Sequence, residues 1–176
     1  MTGAERFTAP ASALKAASGT SFRLAPLSPQ EGQTLGPQIA AMFPWSAYGY
    51  PASALSRFLA AAEPGASRLG FVVDGELAGC AVIRPIWLRG PYLNFLALLP
   101  AAQRRGIGGA FLDWMESEAR AAEDRNMWVA ASEINAGAIR LYERYGFHKT
   151  AVLDGLVYDD RNEVLFRKRL SYVPRE

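Results

Sequence analysis

One window of the sequence constrains the fold more than any other. A nearly continuous apolar run at 92–99 predicts a strand buried on both faces, and this run ends at Pro100. The turn that follows contains two arginines and three glycines, in the order Gln103-Arg104-Arg105-Gly106-Ile107-Gly108-Gly109. Apolar residues at helical spacing then predict an amphipathic helix from about Gly106 to Asp124. A buried strand that passes through a glycine-rich turn into a helix is typical of a domain in which helices cover a sheet.

The remaining pattern predicts one mixed sheet flanked by helices. In chain order we expect a strand at 22–27, helices at 30–43 and around 55–59, strands at 68–73, 77–87 and 127–132, a helix at 136–145, and a closing hairpin of 147–157 and 163–170. The fold class is therefore α/β (α+β), with a mostly antiparallel sheet of about six or seven strands and about four helices. We expect residues 1–21 to be an extension outside the core, and residues 22–172 to form a single domain.

Composition and charge exclude several classes of protein. The 176 residues favour one domain, and a formal net charge of +2 is too small for an obligate nucleic-acid binder. One cysteine, Cys80, cannot form an intramolecular disulfide, and one histidine, His148, excludes a histidine-cluster metal site. The sequence has neither the apolar run of a secretory signal nor that of a membrane span. We therefore expect a cytoplasmic, metal-free protein that binds neither nucleic acid nor a membrane.

The glycine-rich turn has the chemistry of a phosphate-binding site. Backbone N–H groups at a helix N-terminus lack partners within the helix, and glycines let a ligand approach them closely. Arg104 and Arg105 add positive charge at the same place. The turn is neither a Walker A loop, which needs a Gly-Lys-Ser/Thr sequence, nor a dinucleotide fingerprint, because Phe111 occupies the position of the third glycine. The alternative is an ordinary helix start with two solvated arginines.

A second motif follows about thirty residues later, with the sequence Asn135-Ala136-Gly137-Ala138-Ile139-Arg140-Leu141-Tyr142-Glu143-Arg144-Tyr145-Gly146-Phe147. Asn135 suits the N-cap of a helix, and Gly146 suits its left-handed end. Together, the two motifs resemble those of the GNAT superfamily of acetyl-CoA-dependent N-acetyltransferases. The resemblance is clear from about Leu69 to Leu170, weaker over 22–60 and absent before Phe22.

This resemblance implies a binding site for acetyl-CoA. In the family the fourth and fifth strands splay apart, and the pantetheine arm pairs with the exposed edge of the fourth strand, here 96–99. The N–H of Leu98 would then polarise the thioester carbonyl and stabilise the oxyanion of the tetrahedral intermediate. The diphosphate would lie on the N–H groups of the glycine-rich turn. The implied cofactor contacts are Leu96, Leu98, Leu99, Gln103, Arg104, Arg105, Gly106, Ile107, Gly108, Gly109, Asn135, Ala138 and Tyr142.

The resemblance also implies a general acid and leaves the general base unassigned. Tyr142 matches the tyrosine that protonates the departing thiolate, and its alternative role is that of a core aromatic residue. Ala130 stands where several family members carry an acidic residue. Glu133 is close by, and it is either the base or a charge that neutralises the following helix N-terminus. Tyr92 and Asn94 could instead order a water molecule.

The acceptor that the resemblance implies is a primary amine, either a small molecule or a protein N-terminus. It would attack the thioester directly in a ternary complex, because no cysteine or serine is recognisable as an acyl carrier. The candidate acceptor contacts are Trp45, Tyr48, Tyr50 and Asn94, although packing of the linker also explains the first three. A non-catalytic acyl-CoA-binding module is the alternative function. Homodimers are common among GNAT proteins, and we consider a homodimer here.

Overall fold

An eight-stranded mixed sheet organises residues 6–171, the part of the chain that the computed structural model describes. The strands are β1 (Leu14–Lys15), β2 (Ser21–Pro26), β3 (Ser67–Val73), β4 (Glu76–Trp87), β5 (Gly90–Leu98), β6 (Asn126–Ser132), β7 (His148–Tyr158) and β8 (Arg161–Arg169). The helices are α1 (Pro29–Ala40), α2 (Trp45–Tyr48), α3 (Ala52–Ala60), α4 (Ile107–Ala121) and α5 (Ala136–Arg144). Within 6–171, no helix is both long enough and apolar enough to cross a membrane.

The strand order is β1-β2-β3-β4-β5-β6-β8-β7, in which β5 and β6 pair in parallel and the other neighbours pair antiparallel. This arrangement confirms the predicted α/β (α+β) class and the mixed, mostly antiparallel sheet. The sequence predicted fewer elements because β1 has only 2 residues and α2 only 4, too few for either to show a period. In the same region α1 ends at Ala40 rather than at residue 43.

Helices cover both faces of the sheet, so its central strands are buried on both sides. On β4, Ala81 and Ile83 join the core beneath α4 and α5, whereas Cys80 and Val82 join the core beneath α1 and α3. This alternation follows from the two-residue period of a strand. Burial raises the pKa of the Cys80 thiol to about 12. The thiol is therefore uncharged at neutral pH, as expected for a small buried apolar side chain.

Part of residues 6–21 packs on the core, whereas the sequence pattern predicted that residues 1–21 form an extension outside it. Phe7 is 1% exposed and its ring meets the Trp114 ring edge-on at 6.1 Å. The Arg6 guanidinium forms an ion pair with Asp124 on the loop after α4. Strand β1 pairs with β2, which extends the sheet by one strand. A single phenylalanine among alanines and serines has no periodicity, so the sequence pattern did not predict this packing.

Strands β5 and β6 separate partway along their length, as the family resemblance implied. Their pairing is confined to Tyr92 with Trp128 and Leu93 with Val129. Immediately afterwards β5 contains a bulge, because Leu93 and Phe95 oppose consecutive residues of β4 and Asn94 is the extra residue. Beyond this bulge β5 still packs against the core on both faces, and Ala97 is fully buried. Its other side chains there are partly exposed, because the strand borders the gap that opens towards β6.

Candidate active site

A cavity of about 450 Å³ lies in the gap between the separating strands β5 and β6. Its walls come from both halves of the fold: from α2, α3 and β5 on one side, and from β6, α5, β7 and β8 on the other. The residues that line it are Pro44, Trp45, Tyr48, Tyr50, Ala54, Leu55, Phe58, Tyr92, Leu93, Asn94, Phe95, Leu96, Ala130, Ala131, Ser132, Asn135, Ala138, Tyr142, Leu156, Val157 and Glu163. Most of this lining is aromatic or aliphatic, as in typical small-molecule sites.

The edge of β5 that faces the cavity has free backbone donors. The N–H of Leu99 donates to the carbonyl of Ala78 on β4 at 2.8 Å. Successive N–H groups of a strand point to opposite edges, so those of Leu98 and Leu96 point away from β4, into the gap. Strand β6 does not pair with this stretch. An extended ligand can therefore add to β5 as an extra strand here.

The glycine-rich turn ends in an open helix N-terminus. Helix α4 starts at Ile107 after Gly106, whose backbone is left-handed (φ 78°) and which provides no side-chain cap. The first N–H groups of α4 are thus available to an anion. Arg104 is exposed and makes no ion pair with any residue of 6–171, whereas the Arg105 guanidinium lies 3.3 Å from Asp74. Of the two arginines predicted to attract a phosphate, Arg105 is therefore paired with a carboxylate, and Arg104 has no such partner among the described residues.

Two contacts fix this turn relative to the rest of the site. The Gln103 side-chain amide donates to the carbonyl of Leu98 at 2.9 Å, which ties the turn to the end of β5. A Cβ at Gly109 would lie 1.8 Å from the Tyr145 hydroxyl, so glycine at this position lets α5 pack closely against α4. Tyr145 is therefore a packing residue.

Tyr142 is buried and also lines the cavity. Its ring contacts those of Phe147 and Phe166 at 5.9 and 6.2 Å, so the packing role that the sequence allowed is real. Burial raises the pKa of the Tyr142 phenol, which keeps its proton at neutral pH. Within residues 6–171 no side chain or backbone group hydrogen-bonds to this hydroxyl. Asn135 also lines the cavity and caps α5, its Oδ1 accepting from the N–H of Ala138 at 3.1 Å.

A hydrogen-bonded group that the sequence did not predict lies on the opposite wall. The Tyr48 hydroxyl from α2 donates to Glu163 Oε1 on β8 at 2.8 Å and also contacts the Ser132 hydroxyl at the end of β6. Burial raises the pKa of Tyr48 to about 12. Burial likewise raises the pKa of the Glu163 carboxyl, although the hydrogen bond from Tyr48 partly offsets this effect.

The other predicted acceptor and base residues divide into two groups. Trp45, Tyr50 and Asn94 line the cavity together with Tyr48, which brings all four predicted acceptor contacts to one place. Glu133 does not line the cavity. It is exposed, and its carboxylate accepts hydrogen bonds of 3.3 Å from the backbone and side-chain N–H groups of Asn162.

Glu163 was missed because no local pattern distinguishes it. It lies in a polar hairpin segment, and only the register that pairs Ser132 with Glu163 brings it beside the end of β6. Ala130 is two residues earlier on β6 and also lines the cavity, so the wall contains a carboxylate although Ala130 has none. A correct pairing of β6 with β8 is the signal that would have identified Glu163.

Comparisons with known proteins identify a family and a fold for this chain. The sequence model of a protein family, described as "Acetyltransferase (GNAT) family", matches residues 36–147 of this chain. A curated relative, [ribosomal protein bS18]-alanine N-acetyltransferase of Escherichia coli (strain K12), is 27% identical over 115 residues, which cover 65% of this chain and 72% of that protein.

Three solved structures show the same fold. The ribosomal-protein-S18-alanine N-acetyltransferase from Escherichia coli has a TM-score of 0.67 at 20% identity, covering 87% of this chain and 96% of that one. Ard1 from Thermoplasma volcanium has a TM-score of 0.68 at 24% identity, covering 86% and 99%. A GNAT family acetyltransferase from Elizabethkingia anophelis, solved with acetyl-CoA bound, has a TM-score of 0.55 at 20% identity, covering 60% and 76%.

Proposed function

Because the chain belongs to the acetyltransferase (GNAT) family, we propose that it transfers the acetyl group of acetyl-CoA to a primary amine. The observation that carries this proposal is the gap between β5 and β6. It combines an open strand edge, an open helix N-terminus at its end and a cavity containing a protonated phenol. The strand edge suits the pantetheine arm of acetyl-CoA, the helix N-terminus suits its diphosphate, and the phenol suits its thioester.

The residues of the gap suit each part of acetyl-CoA. The arm would pair with the edge of β5 at 96–99, and the diphosphate would accept hydrogen bonds from the N–H groups of 103–109, with Arg104 adding charge. The N–H of Leu98 points into the gap and would stabilise the oxyanion as the carbonyl is attacked. Asn135 and Ala138 border the same space from α5.

The chemistry would be a direct transfer in a ternary complex. The attacking amine forms the C–N bond, the C–S bond breaks, and Tyr142 donates a proton to the sulfur of the leaving coenzyme A. The buried Cys80 is a poor acyl carrier, because the raised pKa of its thiol leaves almost no thiolate at neutral pH. The acceptor enters from the aromatic side of the cavity. The Escherichia coli relative is named for an alanine of a ribosomal protein, which supports a protein or peptide N-terminus as the acceptor.

Acetyl transfer to a panel of peptides and small amines tests this function, with release of free coenzyme A as the readout. We expect Tyr142→Phe to lower kcat by about 100-fold or more, because the leaving thiolate loses its proton donor. Binding of acetyl-CoA should be unchanged. Tyr145→Phe is the matched control on the same helix, and its kcat should stay near that of the wild type.

Two results would count against the proposal. Full activity of Tyr142→Phe would remove the assigned general acid. Binding of acetyl-CoA without transfer to any amine would favour the alternative of a non-catalytic acyl-CoA-binding module, which the missing acidic residue at Ala130 supports.

A further inference from the structure

We propose, building on the acetyl transfer proposed above, that Glu163 binds the ammonium group of the acceptor and takes its proton. Among the described residues that line the cavity, Glu163 is the one charged side chain. An amine reaches the cavity mainly as an ammonium ion at neutral pH, and only its deprotonated form can attack a thioester. A carboxylate within an otherwise neutral, largely apolar cavity is the group that this step requires.

A directed chain of hydrogen bonds orients the Glu163 carboxylate. The N–H of Ile134 donates to Ser132 Oγ at 3.4 Å, the Tyr48 and Ser132 hydroxyls are in hydrogen-bond contact, and Tyr48 donates to Glu163 Oε1 at 2.8 Å. An ionised carboxylate can only accept, so the single hydroxyl proton of Tyr48 goes to Glu163, and the Ser132 hydroxyl then donates to Tyr48 Oη. Within residues 6–171 nothing donates to Oε2 of Glu163, so one carboxylate oxygen remains free for an acceptor.

The walls around Glu163 determine the chemical class of the acceptor. Aromatic rings of Trp45, Tyr48 and Tyr50 line the same cavity, and such rings attract cations. No arginine or lysine is among the described lining residues, so a carboxylate next to the amine would be buried without a partner. The acceptor is therefore a primary ammonium with uncharged neighbours, such as a peptide α-amine followed by an amide bond, rather than a free amino acid.

The proton balance of this step is complete. Glu163 takes one proton from the ammonium ion and later releases it to solvent. The neutral amine then forms the C–N bond, the C–S bond breaks, and Tyr142 protonates the sulfur. After the C–N bond forms, the nitrogen still carries one proton more than the acetamide product, and this proton passes to the Tyr142 phenolate. The products are an acetamide, the thiol of coenzyme A and one proton.

Several titratable or charged groups surround Glu163 and influence the pH at which it works. They are Tyr48 on α2, Tyr50 in the linker that follows, Tyr92 on β5 and Glu133 after β6. Arg161 on β8 lies over the Tyr48 ring and acts on the Tyr48 hydroxyl. The carboxylate must be ionised to accept a proton. Activity should therefore fall as the pH drops through the pKa of Glu163, which burial raises above the ordinary glutamate value.

The test uses the full chain and tri-alanine amide, a probe with one ammonium group and no other charge. With coenzyme A present, we expect Glu163→Gln to weaken binding of this probe by at least about tenfold, and to lower kcat/KM at pH 7 by about 100-fold or more. The difference in kcat/KM between the wild type and Glu163→Gln should be about tenfold smaller at pH 9 than at pH 7. At pH 9 an α-amine of pKa near 8 is mostly unprotonated, so it no longer needs a base. Unchanged binding of acetyl-CoA would show that the variant is folded.

Glu143→Gln, which removes an exposed carboxylate from α5, is the matched control and should bind the probe within about twofold of the wild type. Equal probe binding by wild type and Glu163→Gln would overturn the proposal, as would failure of the wild type to bind the probe. Loss of activity in Glu133→Gln with full activity in Glu163→Gln would overturn it in favour of Glu133. If the probe binds through Glu163 but no amine is acetylated, the proposed transfer fails while ammonium binding by Glu163 is supported.

Discussion

At the scale of single residues, the Tyr48 hydroxyl favours the ionised form of Glu163. Its hydrogen bond lowers the pKa of a carboxyl that burial otherwise raises. Removing the hydroxyl in Tyr48→Phe should therefore raise the pKa of Glu163 further, because the ionised form loses a donor. We therefore expect the acidic limb of the kcat/KM profile, the fall in activity at low pH, to move to higher pH. A pH series of acetyl transfer to tri-alanine amide measures this shift.

The control for this change is Tyr158→Phe. Tyr158 stacks on Tyr48 with ring centroids 5.4 Å apart but makes no hydrogen bond to Glu163. The acidic limb should keep its position in this variant. If the acidic limb of the kcat/KM profile does not move in Tyr48→Phe, or moves to lower pH, a group other than Glu163 is responsible for it.

Residue-level prediction succeeded where a motif was continuous in the sequence and failed where it was not. The glycine-rich turn and the segment from Asn135 to Phe147 each lie within one stretch of chain, so their local structure followed from spacing alone. Glu163 depends on the register between β6 and β8, which no local pattern specifies. Glu133 was a candidate base because it is near in sequence, yet its carboxylate contacts Asn162 outside the cavity lining.

At the scale of elements, the close contact between α1 and α3 supports the wall that carries Tyr48. Gly36 of α1 faces α3 so closely that a Cβ would lie 2.5 Å from the backbone N of Ser56. We therefore expect Gly36→Ala to lower the free energy of unfolding by about 1–3 kcal/mol, because the helices must move apart. Urea denaturation measures the change.

A second glycine-to-alanine change separates this steric effect from helix propensity. At Gly137 on α5, an added Cβ would meet Asn135 Oδ1 at 3.6 Å, an ordinary van der Waals contact, and, apart from its chain neighbours and its own helix backbone, no other atom of residues 6–171 within 4 Å. Gly137→Ala should leave stability unchanged or raise it by up to about 1 kcal/mol. Equal stability of Gly36→Ala and the wild type would contradict the close contact of α1 with α3.

At the scale of the whole molecule, Phe7, Ala9 and Leu14 extend the core towards the N-terminus. Phe7 fills a position beside Trp114 and is 1% exposed. Phe7→Ala should destabilise the fold by about 3 kcal/mol, through lost burial and the cavity left behind. Ile86→Ala, at a position that is 73% exposed, should change stability by less than about 1 kcal/mol. Similar denaturation midpoints for both variants would mean that Phe7 adds nothing to the core.

The central claim is that the gap between β5 and β6, with the α4 N-terminus at its end, binds acetyl-CoA. Calorimetric titration of the full chain with acetyl-CoA tests this claim most directly. We predict one site per chain with a dissociation constant between about 1 μM and 1 mM, the range in which enzymes commonly hold their substrates. Arg104→Ala should weaken this binding several-fold through the loss of a phosphate contact. Absence of binding heat at millimolar acetyl-CoA, over several temperatures, would contradict the account.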